Sequence, residues 1–276
     1  MQIDAHQHFW HYDPVRDGWI TDEMSVLQRD FLPEDLKPLL DAQGVQGTVA
    51  VQADQSETET QFLLKLAENN PFVCGVVGWV DLLAPNLVER LEYFSQFERL
   101  CGFRHIAQAE ADDFLAREDV ARGIGRLSQF DFTYDILVYH SQLPAAISLV
   151  EKLPDSRFVV DHVAKPAIKD SETEPWATHM RELASYANVW CKVSGMVTEA
   201  DWAHWRQEDI RPYLDVVFEA FGTDRLMFGS DWPVCLLAAD YRKVWEVVDG
   251  YVSQFPTSDR SKLFGGNAAG FYGLAV

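Results

Sequence analysis

Short apolar runs recur along the chain, and between them apolar residues return every three or four positions. The first run is Ile3-Asp4-Ala5-His6-Gln7-His8-Phe9-Trp10, and others follow at 47–52, 72–80, 100–106, 132–139, 157–162, 189–194 and 225–231. Most are continuously apolar over several residues, the pattern of a strand covered on both faces. Leu36, Leu39 and Leu40 have helical spacing, as do residues 60–68, 87–94, 120–130, 143–153, 176–186 and 210–221. Two further helical stretches, near 241–255 and 258–272, close the chain. Residues 9–31 are aromatic and irregular, too long for an ordinary connection, and are expected to form part of a pocket wall.

Eight strands alternating with helices predict an α/β protein of the (β/α)8 barrel type, a single domain over residues 1–276. A doubly wound sheet is the alternative, and the count of eight and the length favour the barrel. In such a barrel, side chains from different strands converge at the C-terminal strand ends. The polar residues there are His6 and His8 from strand one, Arg104 and His105 from strand four, His162 from strand six, Lys192 and Ser194 from strand seven, and Asp231 from strand eight. His6 and His8 are two apart, so strand alternation puts both imidazoles on one face. Three imidazoles and a carboxylate can hold one divalent, zinc-like ion, or act without metal as proton carriers around a water.

Charge narrows the partners. Lys plus Arg number 23 against 43 Asp plus Glu, a formal net charge of -20. That field repels nucleic acid and anionic membranes, yet leaves a small anionic or polyhydroxylated substrate open, because salt screens distant charge within about 8 to 10 Å. Cys74, Cys101, Cys191 and Cys235 form no CxxC pair and read as small buried hydrophobes. No signal-peptide pattern opens the chain and no apolar run reaches about 18 residues, so a cytoplasmic protein is expected. A homo-oligomer is compatible with the sequence.

The runs IDAHQHFW, GFRHI, FVVDHVAKP, KVSGM, RLMFGSDWPV and GGNAAGFYGL, spread from residue 3 to residue 274, resemble the amidohydrolase superfamily. They are most similar to its branch of sugar-lactone hydrolases, those acting on L-fuconolactone and L-rhamnonolactone. The resemblance implies HxH after strand one, a histidine after strand six and an aspartate after strand eight, places filled here by His6, His8, His162 and Asp231. It implies lactone opening by water, with Asp231 as general base and His6, His8 and His162 polarising the carbonyl directly or through a metal. Arg104 and His105 would orient the substrate, Trp10, Trp19 and Trp232 would pack on the sugar, and Lys192 would either meet the substrate or cap the barrel. Two departures argue against a two-metal centre: strand five has no histidine, His140 lying just past its end, and strand four offers no bridging lysine or glutamate. The same ligands also suit a metal-dependent decarboxylase or a hydrolase of aromatic lactones, and a non-catalytic barrel that binds a sugar acid is the reading from another class.

Overall fold

The computed structural model describes residues 1–275. Its elements, in chain order, are β1 (Ile3–Gln7), α1 (Pro33–Ala42), β2 (Gly47–Val51), α2 (Glu57–Asn69), β3 (Val73–Gly78), α3 (Leu87–Phe94), β4 (Leu100–His105), α4 (Glu118–Gly125) and β5 (Thr133–Ile136). There follow α5 (Leu143–Lys152), β6 (Phe158–Val160), α6 (Trp176–Ser185), β7 (Val189–Val193), α7 (Gln207–Phe221), β8 (Leu226–Phe228), α8 (Tyr241–Val252), α9 (Thr257–Ser261) and α10 (Asn267–Tyr272). The eight strands form one parallel sheet in sequential order, β1 to β8. This is the (β/α)8 barrel that the alternation of runs predicts.

The β8–β1 seam is closed between the end of β1 and the segment just beyond β8. Gln7 bridges Trp232 in parallel register, the Asp231 N–H donates to the His6 carbonyl at 2.8 Å and the His8 N–H to the Trp232 carbonyl at 2.7 Å. The closure therefore stitches the HxH segment directly to the segment carrying Asp231.

Two apolar clusters hold the fold. The larger lies between the sheet and the helices; the smaller joins Ile3, Ala5, Val49, Val51, Val77, Cys101, Val159 and Met227 to Phe271 and Tyr272 of α10. A last helix thus packs its aromatic residues against the barrel's inner core. All four cysteines are free and buried, as expected of small hydrophobes.

Several elements are shorter than the periodicity suggests. The stretch 120–130 is α4 followed by a separate 3-10 turn, Leu127–Phe130, and 258–272 is broken by a π-turn at Lys262–Gly266, where Gly265 leaves helical geometry. Strands β5, β6 and β8 end two or three residues early. At those strand ends the backbone leaves the sheet and turns over the barrel mouth, where a continued ladder would carry the polar side chains past it. No helix among the described residues is long and apolar enough to cross a membrane.

Candidate active site

The strand ends bring His6, His8, His162 and Asp231 together. The Nε2 atoms of His6 and His8 are 3.2 Å apart. Asp231 Oδ1 lies 3.4 Å from His8 Nε2, 3.7 Å from His162 Nε2 and 3.9 Å from His6 Nε2. The rings of His6 and His162 meet edge to face at 4.3 Å. All four side chains are buried.

Unusual backbone puts two of them there. Asp231 has φ +57°, and the four residues His162 to Lys165 all have positive φ. For L-residues the left-handed region costs roughly 1–2 kcal/mol each, and such conformations persist where surrounding contacts over-determine them. Here the Lys165 N–H donates to the His162 carbonyl at 2.8 Å, Trp176 Nε1 donates to the Val163 carbonyl at 2.7 Å, and His140 Nδ1 donates to the Lys165 carbonyl at 3.0 Å. His140, just past the end of β5, is thus a brace for this turn. Gly195, itself at φ +64°, leaves the space the His162 ring occupies: a Cβ there would lie 2.6 Å from His162 Cγ.

Each imidazole is held by its second nitrogen. His8 Nδ1 donates to the Val51 carbonyl at 2.7 Å, which leaves its Nε2 lone pair facing the site. His162 Nδ1 is 2.9 Å from Ser194 Oγ. His6 Nδ1 lies between Lys192 Nζ at 3.0 Å and Asp161 Oδ1 at 3.3 Å. Burial pushes His162 down to about 4, so its imidazole is neutral at pH 7. Burial, reinforced by the Lys192 charge, likewise holds His6 well below the usual range. For Asp231 burial alone would raise the pKa, but the charge that the surrounding histidines, His162 foremost, take up at low pH outweighs it and holds the carboxyl well below its usual range, so it is ionised at pH 7.

His8, His162 and Asp231 open onto a cavity of about 320 Å³, with His6 just beneath it, the size of a small-molecule site. Trp10, Trp19 and Arg104 line it, as expected, together with Gln55, Gln108 and Lys165. Trp19 is 44% exposed at its rim. Arg104 is buried, donating to Asp161 Oδ2 at 3.0 Å and to the Gln52 carbonyl.

Three expected substrate contacts are corrected. Lys192 is fully buried beneath the histidines, 2.6 Å from Asp135 Oδ2 and 3.0 Å from Asp161 Oδ1, and does not reach the cavity. Trp232 turns away after the left-handed Asp231 and packs edge to face on Phe9 and Phe31. His105 takes the opposite face of β4 from Arg104, as strand alternation requires; its ring stacks on Phe114 and its Nε2 pairs with Glu110.

Asp161, Lys165, Gln55 and Gln108 were missed. Asp161 carried a signal, a carboxylate written immediately before His162. Lys165 and the two glutamines sit in turns with no periodicity to mark them.

The donor set fits a divalent ion. His6 Nε2, His8 Nε2 and Asp231 Oδ1 lie within 4.8 Å of one another, and separations of 3.2 to 3.9 Å are those of ligands sharing an ion at about 2 Å each. No bridging carboxylate or lysine from β4 joins them, consistent with a single-ion site.

A parallel barrel with buried imidazoles and an ionised carboxylate at its C-terminal mouth defines a barrel enzyme of hydrolytic type. The chain belongs to the amidohydrolase family, whose model matches residues 3–274. It is 44% identical to an L-fucono-1,5-lactonase of Burkholderia multivorans, over 99% of this chain and 96% of the relative. A second L-fucono-1,5-lactonase, from Burkholderia ambifaria, is 39% identical over 99% of this chain and 95% of its own. A solved amidohydrolase structure from Burkholderia multivorans with bound Zn superposes with a TM-score of 0.95 at 44% identity, covering 99% of both chains.

Proposed function

We propose that this protein is a lactonase that opens L-fucono-1,5-lactone, or a closely similar aldonolactone, to the free acid. The observation that carries the reading is the whole-length likeness to two L-fucono-1,5-lactonases, in a chain that keeps all four polar residues at the barrel mouth.

Hydrolysis needs a water deprotonated as it attacks the carbonyl, charge stabilised on the carbonyl oxygen, and a proton for the departing ring oxygen. Asp231, ionised at neutral pH, accepts the proton of the attacking water as the new C–O bond forms. Because this carboxylate is a weak base, transfer is late and coupled to bond formation. Arg104 and Lys165 bring positive charge to the cavity wall, where the oxyanion develops. His162, neutral and steadied by Ser194, stands beside Asp231, its Nε2 3.7 Å from Oδ1. As the intermediate collapses, the ring C–O bond breaks and the ring oxygen takes the proton held by Asp231. Trp10 and Trp19 pack on the CH-rich face of the sugar at the rim. One zinc-like divalent ion on His6, His8 and Asp231, with His162 beside them, would act as a Lewis acid on the carbonyl when bound.

The enzyme is a single barrel domain acting in the cytoplasm on a small lactone, without nucleic acid or membrane partners, and its surface is compatible with a homo-oligomer. The test is acid release from a panel of aldonolactones by purified protein, with and without chelator and with metal analysis alongside. Rapid hydrolysis of L-fucono-1,5-lactone is expected. A rate at background on every lactone would overturn the proposal.

A further inference from the structure

Three cations stand at or under the barrel mouth, and each has a carboxylate partner. Arg104 and Lys192 are buried and paired with Asp161 and Asp135, at 3.0 and 2.6 Å. The third, Lys165, sits on the left-handed turn after β6 and lines two cavities at once, the reaction cavity and a neighbouring one of about 670 Å³. Its Nζ lies 3.5 Å from Glu199 Oε1. Glu199 belongs to the segment between β7 and α7 and lines the second cavity, so it stands behind Lys165 as seen from the substrate. Its backbone is fixed on both sides: the Lys169 N–H donates to its carbonyl at 3.0 Å, and its own N–H donates to the Met196 carbonyl at 3.3 Å. Burial and the nearby Asp231 charge raise the Glu199 pKa, and the Lys165 ammonium opposes them. The hydrolytic chemistry above makes no use of Glu199.

The charge that Lys165 meets changes at one point only. A lactone enters neutral. As water attacks, negative charge passes from Asp231 to the carbonyl oxygen, and it returns to Asp231 when the ring oxygen takes up the proton. Through these steps the net charge of the cavity is constant. The new carboxylic acid then gives its proton to solvent, as carboxylic acids do well below neutral pH, and the cavity holds one negative charge more than it began with. A lysine placed to meet the oxyanion would also hold this product, and tight binding of product does nothing for the rate. A carboxylate behind that lysine repels the product anion and offsets part of the lysine's pull, while it acts only weakly on an uncharged lactone.

We infer that Glu199 sets the charge of the lactone site from behind Lys165, so that the cavity binds the neutral lactone and releases the anionic acid. Glu199 acts through Lys165 and touches no substrate, which makes it a positioning residue. The inference deepens the lactonase reading and rests on it for the identity of the anion. Removal of the Glu199 charge should therefore tighten the binding of product, an effect opposite in sign to the loss of affinity that damage to the site would cause.

The test compares an anion with a neutral ligand of the same shape. Calorimetric titration of full-length wild type, Glu199→Gln and Glu199→Asp, at matched metal content, uses L-fuconate as the product and L-fucose as an uncharged ring. In Glu199→Gln the dissociation constant for L-fuconate should fall about tenfold, the scale of one charge removed at this range, with that for L-fucose within twofold. Glu199→Asp, which keeps the charge, should return most of the difference. In steady-state hydrolysis, inhibition of Glu199→Gln by L-fuconate should deepen by the same factor while KM for the lactone stays within twofold. An affinity for L-fuconate that is unchanged or weaker in Glu199→Gln, undetectable binding included, would overturn the inference. So would an equal change for both ligands, which would mark a reshaped cavity, or a Glu199→Asp protein that behaves as Glu199→Gln does. Lactone hydrolysis absent from the wild type would strike the lactonase reading, whereas the titrations need no turnover and decide on Glu199 by themselves.

Discussion

Replacing Gly195 by alanine tests whether the strand-seven turn exists to make room for His162. At φ +64° an alanine meets the left-handed penalty of roughly 1–2 kcal/mol. A less flexible unfolded chain offsets about 0.4–1 kcal/mol of it. The steric part is larger. The new Cβ would lie 2.6 Å from His162 Cγ and 2.7 Å from its Cβ and Nδ1, against the roughly 3.5–4.0 Å at which non-bonded carbons normally settle. The ring must retreat by nearly an ångström, and overpacking of this kind costs typically about 1–3 kcal/mol. A net loss of roughly 1–4 kcal/mol is expected, read as a shift in the urea midpoint at constant slope. The same retreat breaks the Ser194–His162 bond and moves the imidazole from Asp231, so kcat should fall by on the order of 100-fold. Gly44→Ala is the control: its φ is +69°, but its nearest neighbour is a side-chain oxygen at an unstrained 3.8 Å. It should lose only about 1 kcal/mol and keep its activity. A Gly195→Ala protein as stable and as active as Gly44→Ala would refute the reasoning.

Asp231→Asn keeps the shape but removes the charge and the proton acceptor, and kcat/KM should drop by about a thousandfold or more with folding intact by circular dichroism; a variant within tenfold of wild type would rule out the general-base assignment. Trp19→Ala, at the exposed rim, should raise KM several-fold with little change in kcat or melting temperature, a split that initial-rate kinetics resolves. Burial pushes Glu59 up to about 8, although it accepts the Ala53 and Asp54 N–H groups at 3.1 and 2.7 Å. The folded state therefore holds a proton that the unfolded state has released, and this group makes stability fall as pH rises from about 4.5 to about 8. Glu59→Gln should flatten that part of the curve in chemical denaturation at a series of pH values, and identical slopes for both proteins would contradict the assignment.

How far the site was legible depends on the kind of signal each residue carries. His6 and His8 declare themselves, because strand alternation turns two imidazoles two positions apart onto one face at the end of an apolar run. His162 and Asp231 follow once the barrel supplies a common mouth. Lys192 and Trp232 were misplaced for a shared reason: position at a strand end says that a side chain is near the mouth, not whether it points up into the cavity or down into the core. Lys192 points down to a carboxylate, Asp135, whose place inside an apolar strand was itself the clue to a buried partner. Trp232 is carried off by the left-handed turn at Asp231, a conformation that aspartate tolerates better than most residues but that its presence alone does not announce.

The sequence by itself determined the alternation of eight strands and their helices, the residue types of the reaction centre, and the resemblance that runs from residue 3 to residue 274. Those are local or additive properties, readable from spacing and motif. Only the tertiary structure decided the rest: that the barrel seam joins His6 and His8 to the Asp231 segment through backbone bonds, that Gly195 clears the space for His162, and that Glu199 meets Lys165 behind the reaction cavity. Each of these depends on distances between segments tens to hundreds of residues apart, and on which way a side chain leaves a turn. Such distances are set by the closure of the whole barrel, since no single segment contains both ends of any of them.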